Sequence, residues 1–200
     1  MPRGTLNKAA RWALATTAGG VLCVVGDHLH VTHDVLFYPH PVFWGQAWWV
    51  FPLFAAATLN AVGGVRLVYP VPTPPAGATR SAAVLEHLVV FALAYATTAI
   101  VPSRTALLFG LATLFLVDLV RGMPRRLLLF CVLVAIAGTS WEMMWSGIGM
   151  FTYRHPDMLG VPAWLPLLYL QAALAADSAR RLLDAGADEG ETPRIPANPP

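Results

Sequence analysis

The chain has 200 residues, of which 56% are hydrophobic and only 12% are charged, and its mean hydropathy is +0.58. Soluble globular domains carry about 25% charged residues, so the composition excludes that class and predicts an integral membrane protein. The formal net charge of +2 is small and the basic residues are dispersed, which argues against a nucleic-acid-binding surface.

Six apolar runs follow one another along the chain, and we predict that each forms a membrane-spanning helix. They cover residues 12–26, 47–68, 82–101, 105–120, 127–147 and 163–176. A bilayer core requires about 20 residues of helix, so flanking residues must continue the fourth and sixth runs. The first run is also compatible with a cleavable signal peptide, but cleavage would remove one wall of the bundle. We predict an all-α membrane protein with one six-helix domain over residues 1–183, and no internal repeat is evident.

The distribution of Lys and Arg predicts how these helices are oriented. Eleven of the 13 basic residues lie at the N-terminus, in the second and fourth connections and in the tail, whereas Arg104 and Arg154 lie on the opposite side. Positive charge stays on the cytoplasmic side of a membrane. Both termini are therefore predicted to be cytoplasmic, which requires an even number of helices.

Two segments lack the signals of a packed helix. Residues 70–77 are rich in proline, which has no amide donor and interrupts helices, so we predict an extended cytoplasmic linker. Residues 184–200 are rich in Gly, Pro and acidic side chains and have little to bury, so we predict a disordered cytoplasmic tail. Residues 177–183 could prolong the last helix into water.

Small residues recur inside the first two apolar runs. Ala56, Asn60 and Gly64 follow one another at four-residue spacing on the second helix, and Gly19 and Gly20 lie on the first. Such faces let membrane helices approach one another closely. The two cysteines, Cys23 and Cys131, also lie in apolar runs, so we interpret them as packing residues rather than a disulfide.

Polar groups inside the apolar runs suggest a binding site, because a charge there is unfavourable and usually faces an interior. We estimate depth by counting about 1.5 Å per residue of helix from the cytoplasmic end. This count predicts that four polar residues lie in the outer third of the membrane, namely Glu142, His28, Thr97 and Thr98. Gln171 comes out roughly 12 Å below the outer surface by the same rise. The predicted lipid-binding residues are His28, Phe91, Thr97, Thr98, Glu142, Trp145 and Gln171. The alternative is a set of hydrogen bonds between helices with no ligand.

The first outer connection concentrates ionisable side chains, namely Asp27, His28, His30, His33, Asp34 and His40. Imidazole and carboxylate groups are common ligands of zinc and iron, so a membrane metalloenzyme is an alternative. A second ligand cluster is missing, however, since the remaining histidines are His87 and His155. We predict no metal site and no catalytic residues. The alternative is an enzyme of lipid or isoprenoid metabolism that uses Glu142 or the histidine patch.

Three segments of the chain resemble the Insig proteins, the small six-helix membrane proteins of sterol regulation. They are LFYPHPVFWGQAWWVFPLF before and within the second run, GGVRLVYP at its end, and SGIGMFTYRHPDMLGVPAWLP between the fifth and sixth runs. The positions that match the family's motifs are Ala47-Trp48-Trp49-Val50, Tyr69-Pro70, Tyr153, Pro156-Asp157 and Trp164-Leu165-Pro166. The order of the motifs and the predicted topology agree with the family over most of the chain.

The resemblance implies a lipid-binding regulator rather than an enzyme. Insig proteins bind oxysterols within the helical bundle and hold partner membrane proteins, and Asp118 with Arg121 looks like the counterpart of the family's partner-binding acid. Phe51 departs from the family's pattern by replacing a proline, and Glu142 and the histidine patch are not features of the animal proteins. The Ala, Pro and Arg bias resembles a prokaryotic relative.

These points together give the expected function. We expect a bacterial cytoplasmic-membrane protein, or an endoplasmic-reticulum protein if the source is eukaryotic, that senses a sterol-like or diacylglycerol-like neutral lipid. We expect no cofactor besides this lipid, no nucleic acid, and assembly into a homo-oligomer such as a trimer.

Overall fold

The computed structural model describes residues 7–70 and 79–188, which form six α-helices and one two-stranded sheet. The elements are α1 (Lys8–Thr32), β1 (Leu36–Phe37), α2 (Val50–Val68), α3 (Thr79–Ile100), α4 (Arg104–Val120), α5 (Arg125–Gly147), β2 (Thr152–Tyr153) and α6 (Leu165–Asp188). This confirms the predicted all-α class. Within the described residues, α1, α2 and α5 are long and apolar enough to cross a membrane. The count of six spans stays a prediction.

The α1–α2 and α5–α6 connections lie at one end of the bundle, which we call the outer end in accordance with the charge distribution; the opposite end is the cytoplasmic end. The predicted linker falls mostly on residues 71–78 and the predicted tail mostly on residues 189–200, which lie outside the described residues. The prediction that the tail begins at residue 184 is wrong for residues 184–188, because they form the last part of α6. Asp184 pairs with Arg66 of α2 and with Arg180, which ties this last part of α6 to the bundle.

Helix α6 lies at the centre of the fold and packs against each of the other five helices. It can do so because its inner half is rich in alanine, and Ala173, Ala175 and Ala176 are all buried. Close approach is also seen between α1 and α2, where a Cβ added at Gly20 would lie 3.2 Å from the backbone of Ala55. Small side chains thus set the helix spacing, as expected where lipid supplies no hydrophobic driving force.

The structure corrects the expectation that the chain has no internal repeat. The segment around the α1–α2 connection aligns without a gap on the segment around the α5–α6 connection when Asp27 is placed on Glu142. Over residues 27–49 and 142–164, the identical pairs are then Tyr38 and Tyr153, His40 and His155, Pro41 and Pro156, Gly45 and Gly160, and Trp49 and Trp164. The shared pattern is thin, which is why it is not evident before the local structures are compared.

Local structure follows the same alignment. The first helix of each segment ends at Thr32 or Gly147, and the second begins at Val50 or Leu165, again equivalent positions. Each connection contains a tight turn with two successive left-handed residues, closed by an isolated bridge between the flanking residues. These turn residues are Trp44 (φ 51°) with Gly45 (φ 73°), and Leu159 (φ 44°) with Gly160 (φ 90°).

The small sheet indicates how the two halves are related. In the antiparallel β1–β2 pair, Phe37 lies opposite Thr152, which is its own equivalent in the alignment. A pair that maps onto itself lies on a two-fold axis, so the α1–α2 and α5–α6 hairpins are related by a pseudo-two-fold axis through this pair. Both hairpins point the same way through the bundle, as in transporters built from parallel repeats.

Candidate functional site

A pair of acid–tyrosine hydrogen bonds lies at the outer end, one in each half of the repeat. Tyr38 donates to Asp27 Oδ2 over 2.9 Å, and the equivalent Tyr153 donates to Glu142 Oε2 over 3.1 Å. Burial raises the pKa of the Tyr38 and Tyr153 phenols above their ordinary range. Both phenols therefore stay protonated and act as donors. Each pair fastens an outer connection to the helix that precedes it.

The carboxyl groups of Asp27 and Glu142 differ in the side chain that donates their second hydrogen bond. Gln46 donates its amide to Asp27 Oδ2 over 2.7 Å, so the Asp27 site is closed by the outer connection, and Asp27 is only 4% exposed. Tyr169 of α6 donates to Glu142 Oε1 over 2.9 Å, and Glu142 remains half-buried. The Glu142 site therefore lies closer to the lipid-facing surface than its equivalent.

A buried histidine links α1 to α3 at the same level. His30 Nδ1 lies 2.8 Å from the Gly26 carbonyl and Nε2 lies 3.0 Å from Thr98 Oγ1. Nδ1–H donates to the carbonyl, and Nε2 faces the Thr98 hydroxyl, which itself donates to the carbonyl of Tyr95 over 2.7 Å. The ring packs between those of Tyr95 and Trp164, with centroids at 5.1 and 5.8 Å. The role of His30 and Thr98 is thus a hydrogen bond between helices.

The predicted lipid-binding residues are placed at different points of the bundle. Phe91 and Thr98 are buried in the core, whereas Thr97 is exposed and bonds back to Leu93 O of its own helix. His28 lies at the outer rim, where its Nδ1 is 2.9 Å from the carbonyl of Trp44. The structure therefore does not bring these four residues and Glu142 into one pocket.

Two other predicted residues carry buried donors without partners among the described residues. Gln171 is 1% exposed and its Nε2 has no acceptor. Trp145 is packed between the rings of Trp49 and Trp141, with centroids at 4.9 and 5.3 Å, and its Nε1 has no acceptor. A buried donor without a partner is unfavourable by about 1–3 kcal/mol, so both groups lower the stability of the bundle as it stands.

Sequence reasoning missed the tyrosines and Gln46. It treated Tyr38 and Tyr153 as interfacial or family-motif residues, and it assigned no role to Tyr169. A usable signal was present, since a Tyr-x-His-Pro pattern follows both Asp27 and Glu142. For the histidine patch, no three His, Cys, Asp or Glu side chains of the described residues are placed to hold a metal ion.

A second polar site lies at the cytoplasmic end and contains both predicted partner-binding residues. An open cavity of about 280 Å³ lies among α3, α4, α5 and α6. Arg121 Nη1 donates to Glu86 over 2.6 Å and lies 4.0 Å from Asp118. Asp118 is therefore not an isolated charge at a helix end, because it also faces His87 of α3 at 3.2 Å.

The same cavity is lined by a serine, a histidine and an aspartate, in which the histidine contacts the other two side chains. Ser178 Oγ lies 3.3 Å from His87 Nδ1, and His87 Nε2 lies 3.2 Å from Asp118. A hydrolase of this type requires an exposed nucleophile and donors for the oxyanion. Ser178 is instead buried in the middle of α6. The arrangement is suited to linking α3, α4 and α6, not to attacking a substrate.

Two solved structures resemble most of the chain. One is a mycobacterial Insig homologue from Mycobacterium vanbaalenii, with a TM-score of 0.75 and 24% identity, covering 88% of this chain and 95% of that one. The other is a cross-linked trimer of the same mycobacterial protein, with a TM-score of 0.75, 25% identity and the same coverage. Neither a protein-family model nor a curated protein matches the chain. The likeness concerns the entire bundle rather than one motif.

Proposed function

We propose that this chain, a prokaryotic Insig-like protein with several membrane-spanning helices, binds a neutral lipid between its helices and acts as a lipid sensor or regulator. The observation that carries the proposal is the half-buried Glu142 carboxyl group with its two tyrosine donors at the outer end. An ionisable group inside an apolar helix is rare and is by default a candidate functional site, even when it has hydrogen-bond partners in the fold. The partner-free donors of Gln171 and Trp145 lie in the same half of the chain.

An apolar path for acyl chains lies below this polar end. Helices α4 and α5 follow one another in the chain but pack little against each other, and both pack on α6. The α6 side chains Leu167 and Leu170 are only partly buried, as is Val134 of α5. A lipid that enters from the bilayer between α4 and α5 would lay its chains on this surface and present its polar end to Tyr169 and Glu142.

The charges at the outer end favour a neutral lipid. The two outer basic residues are already paired, Arg104 with Asp157 and Arg154 with Asp34 at 3.7 Å. An anionic headgroup would therefore meet the carboxyl groups without a free cation to balance it. A hydroxyl group of a sterol-like or diacylglycerol-like lipid can donate to a carboxylate or accept from a phenol, so it suits the site better.

The test is native mass spectrometry of the protein released from lipid nanodiscs, with lipids identified by extraction. We expect one or a few neutral lipids to be retained at a defined ratio. Tyr169→Phe, which removes one donor while keeping the ring, should weaken retention about tenfold, as expected for roughly 1.4 kcal/mol. Thr97→Val on the outward face of α3 is the matched control. Unchanged lipid retention in Tyr169→Phe and in Glu142→Leu would refute the proposed site.

The same proposal extends to assembly and to partners. Because the mycobacterial Insig homologue has been cross-linked as a trimer, we propose that this chain forms a homo-oligomer, and specifically a trimer. Asp118 and Arg121, which line the cytoplasmic cavity, are the residues that we propose for contact with a partner membrane protein. We place the protein in the bacterial cytoplasmic membrane. The enzyme alternative predicts a new lipid product that is lost in Glu142→Gln.

A further inference from the structure

The internal repeat creates two equivalent grooves, and the described residues fill only one of them. Helix α3 lies in the groove between α1 and α6. There the Tyr95 ring packs on the backbone of Gly26, Thr98 bonds to His30, and His87 bonds to Ser178. The pseudo-two-fold axis exchanges α1 with α5 and α6 with α2. The equivalent groove is therefore the one between α5 and α2, which we call the α2/α5 groove.

The residues of the α2/α5 groove are uncovered where their equivalents are covered by α3 or by its neighbours. Leu59 is 48% exposed, whereas its equivalent Leu174 is 3% exposed. A Cβ added at Gly63, the equivalent of Ser178, would meet no atom within 4 Å. Trp141, the equivalent of Gly26, is 45% exposed.

Hydrogen bonding is incomplete in the same groove. His30 Nε2 is satisfied by Thr98 of α3, but the equivalent side chain is Trp145, whose Nε1 has no partner among the described residues. Asn60 of α2 exposes its amide near the middle of an apolar helix, and no described residue bonds to it. Hydrocarbon chains satisfy neither group. An incoming helix with polar side chains reaches the exposed Asn60, and asparagine commonly bonds across membrane helices, whereas Trp145 Nε1 is already buried within the chain.

We propose that the α2/α5 groove receives a membrane helix from a second copy of this chain, in the place that α3 occupies in the α1/α6 groove. The proposal rests on the homo-oligomer proposed above. The stripe formed by the exposed Ala56 and Asn60 and the half-buried Gly63 is small enough for helices to approach closely, and α3 shows that a helix fits the equivalent site. A contact between a groove on one copy and a helix on the next is heterologous, and such contacts give a ring such as a trimer when the rotation between copies closes.

The test compares two substitutions at one position, Gly63→Leu and Gly63→Ala, by native mass spectrometry from nanodiscs. Both residues form helices better than glycine, so both variants should fold, which circular dichroism checks. Leucine fills the groove and should reduce the oligomeric fraction at least tenfold, whereas alanine should preserve it. A benzophenone maleimide on Gly63→Cys should yield an adduct between two copies, and peptide mapping then identifies the incoming helix.

An intact oligomer in Gly63→Leu would overturn the proposal, and so would a monomeric wild-type protein. A monomeric wild-type protein that loses a bound lipid only in Gly63→Leu would assign the groove to lipid instead. Lipid retention is recorded in the same spectra. Loss of the oligomer with retained lipid in Gly63→Leu supports the groove independently of the lipid site. A wild-type oligomer without bound lipid would contradict the lipid proposal but not this one. Both proposals fail together only if the wild-type oligomer binds no lipid and Gly63→Leu also stays oligomeric.

Discussion

Tyr153→Phe is the change that best tests the acid–tyrosine arrangement. It removes the hydroxyl that donates to Glu142 Oε2 and keeps the ring, which is 6% exposed and packs edge-on against Phe151 and Trp164. No cavity larger than one oxygen atom is created. The expected loss is therefore that of a hydrogen bond to a carboxyl group, about 1.5–3 kcal/mol in the free energy of unfolding. Glu142 keeps its second donor, Tyr169.

The assay is reversible unfolding in mixed micelles, followed by the helical circular dichroism signal. Tyr95→Phe is the matched control, because its phenol donates to none of the described residues, and we expect less than about 0.5 kcal/mol of change there. If Tyr153→Phe and Tyr95→Phe destabilise the protein equally, the Tyr153–Glu142 bond does not contribute and the outer connection is held by packing alone.

Combining Tyr153→Phe with Tyr169→Phe extends the test. Each single variant leaves one donor on Glu142, but the double variant leaves none. The double variant should therefore lose more stability than the two single variants added together, since an unsatisfied buried acid is penalised more than a partly satisfied one. Additive losses would show that the two tyrosines act independently of Glu142.

Two further predictions concern other parts of the bundle. Arg180→Met should lose about 1.5–3 kcal/mol in the free energy of unfolding, because it removes a fully buried guanidinium that bonds to Asp177, while Arg181 still pairs with that acid. Arg181→Met, at a more exposed position, should lose less than about 1 kcal/mol, and equal losses would contradict the buried pair. Gly138→Ala should displace the Tyr169 ring that packs on it and weaken lipid retention, while Gly147→Ala, which meets no neighbouring atom, should do neither.

Much of the fold could be predicted because hydrophobic runs, and the residues that cap or end a helix, are local signals in the sequence. The predicted fourth run, 105–120, lies within one residue of α4, where Ser103 caps the helix and Arg121 ends it. The end of α6 could not be placed in this way. It depends on the pairing of Asp184 with Arg66, a residue of α2 that the chain brings near only after folding.

The acid of the candidate site could be predicted from the sequence, but the side chains that donate hydrogen bonds to it could not. Glu142 is conspicuous because a carboxyl group inside an apolar run is rare. Its donors come from a connection and from the next helix, so only the register of α5 against α6 and of β1 against β2 selects Tyr153 and Tyr169 among the tyrosines. The prediction also grouped His28 and Thr97 with Glu142 by depth alone. Depth does not specify the direction of a side chain, and these two face elsewhere.

The internal repeat explains why the two outer acids have different surroundings. Asp27 and Glu142 occupy equivalent positions, yet α3 covers the Asp27 half and Gln46 closes that acid from above. No helix of the described residues covers the Glu142 half in this way; its acid accepts its second hydrogen bond from Tyr169 of α6, and the α2/α5 groove stays open. We therefore expect both the lipid and the next copy of the chain to meet this protein on the Glu142 half.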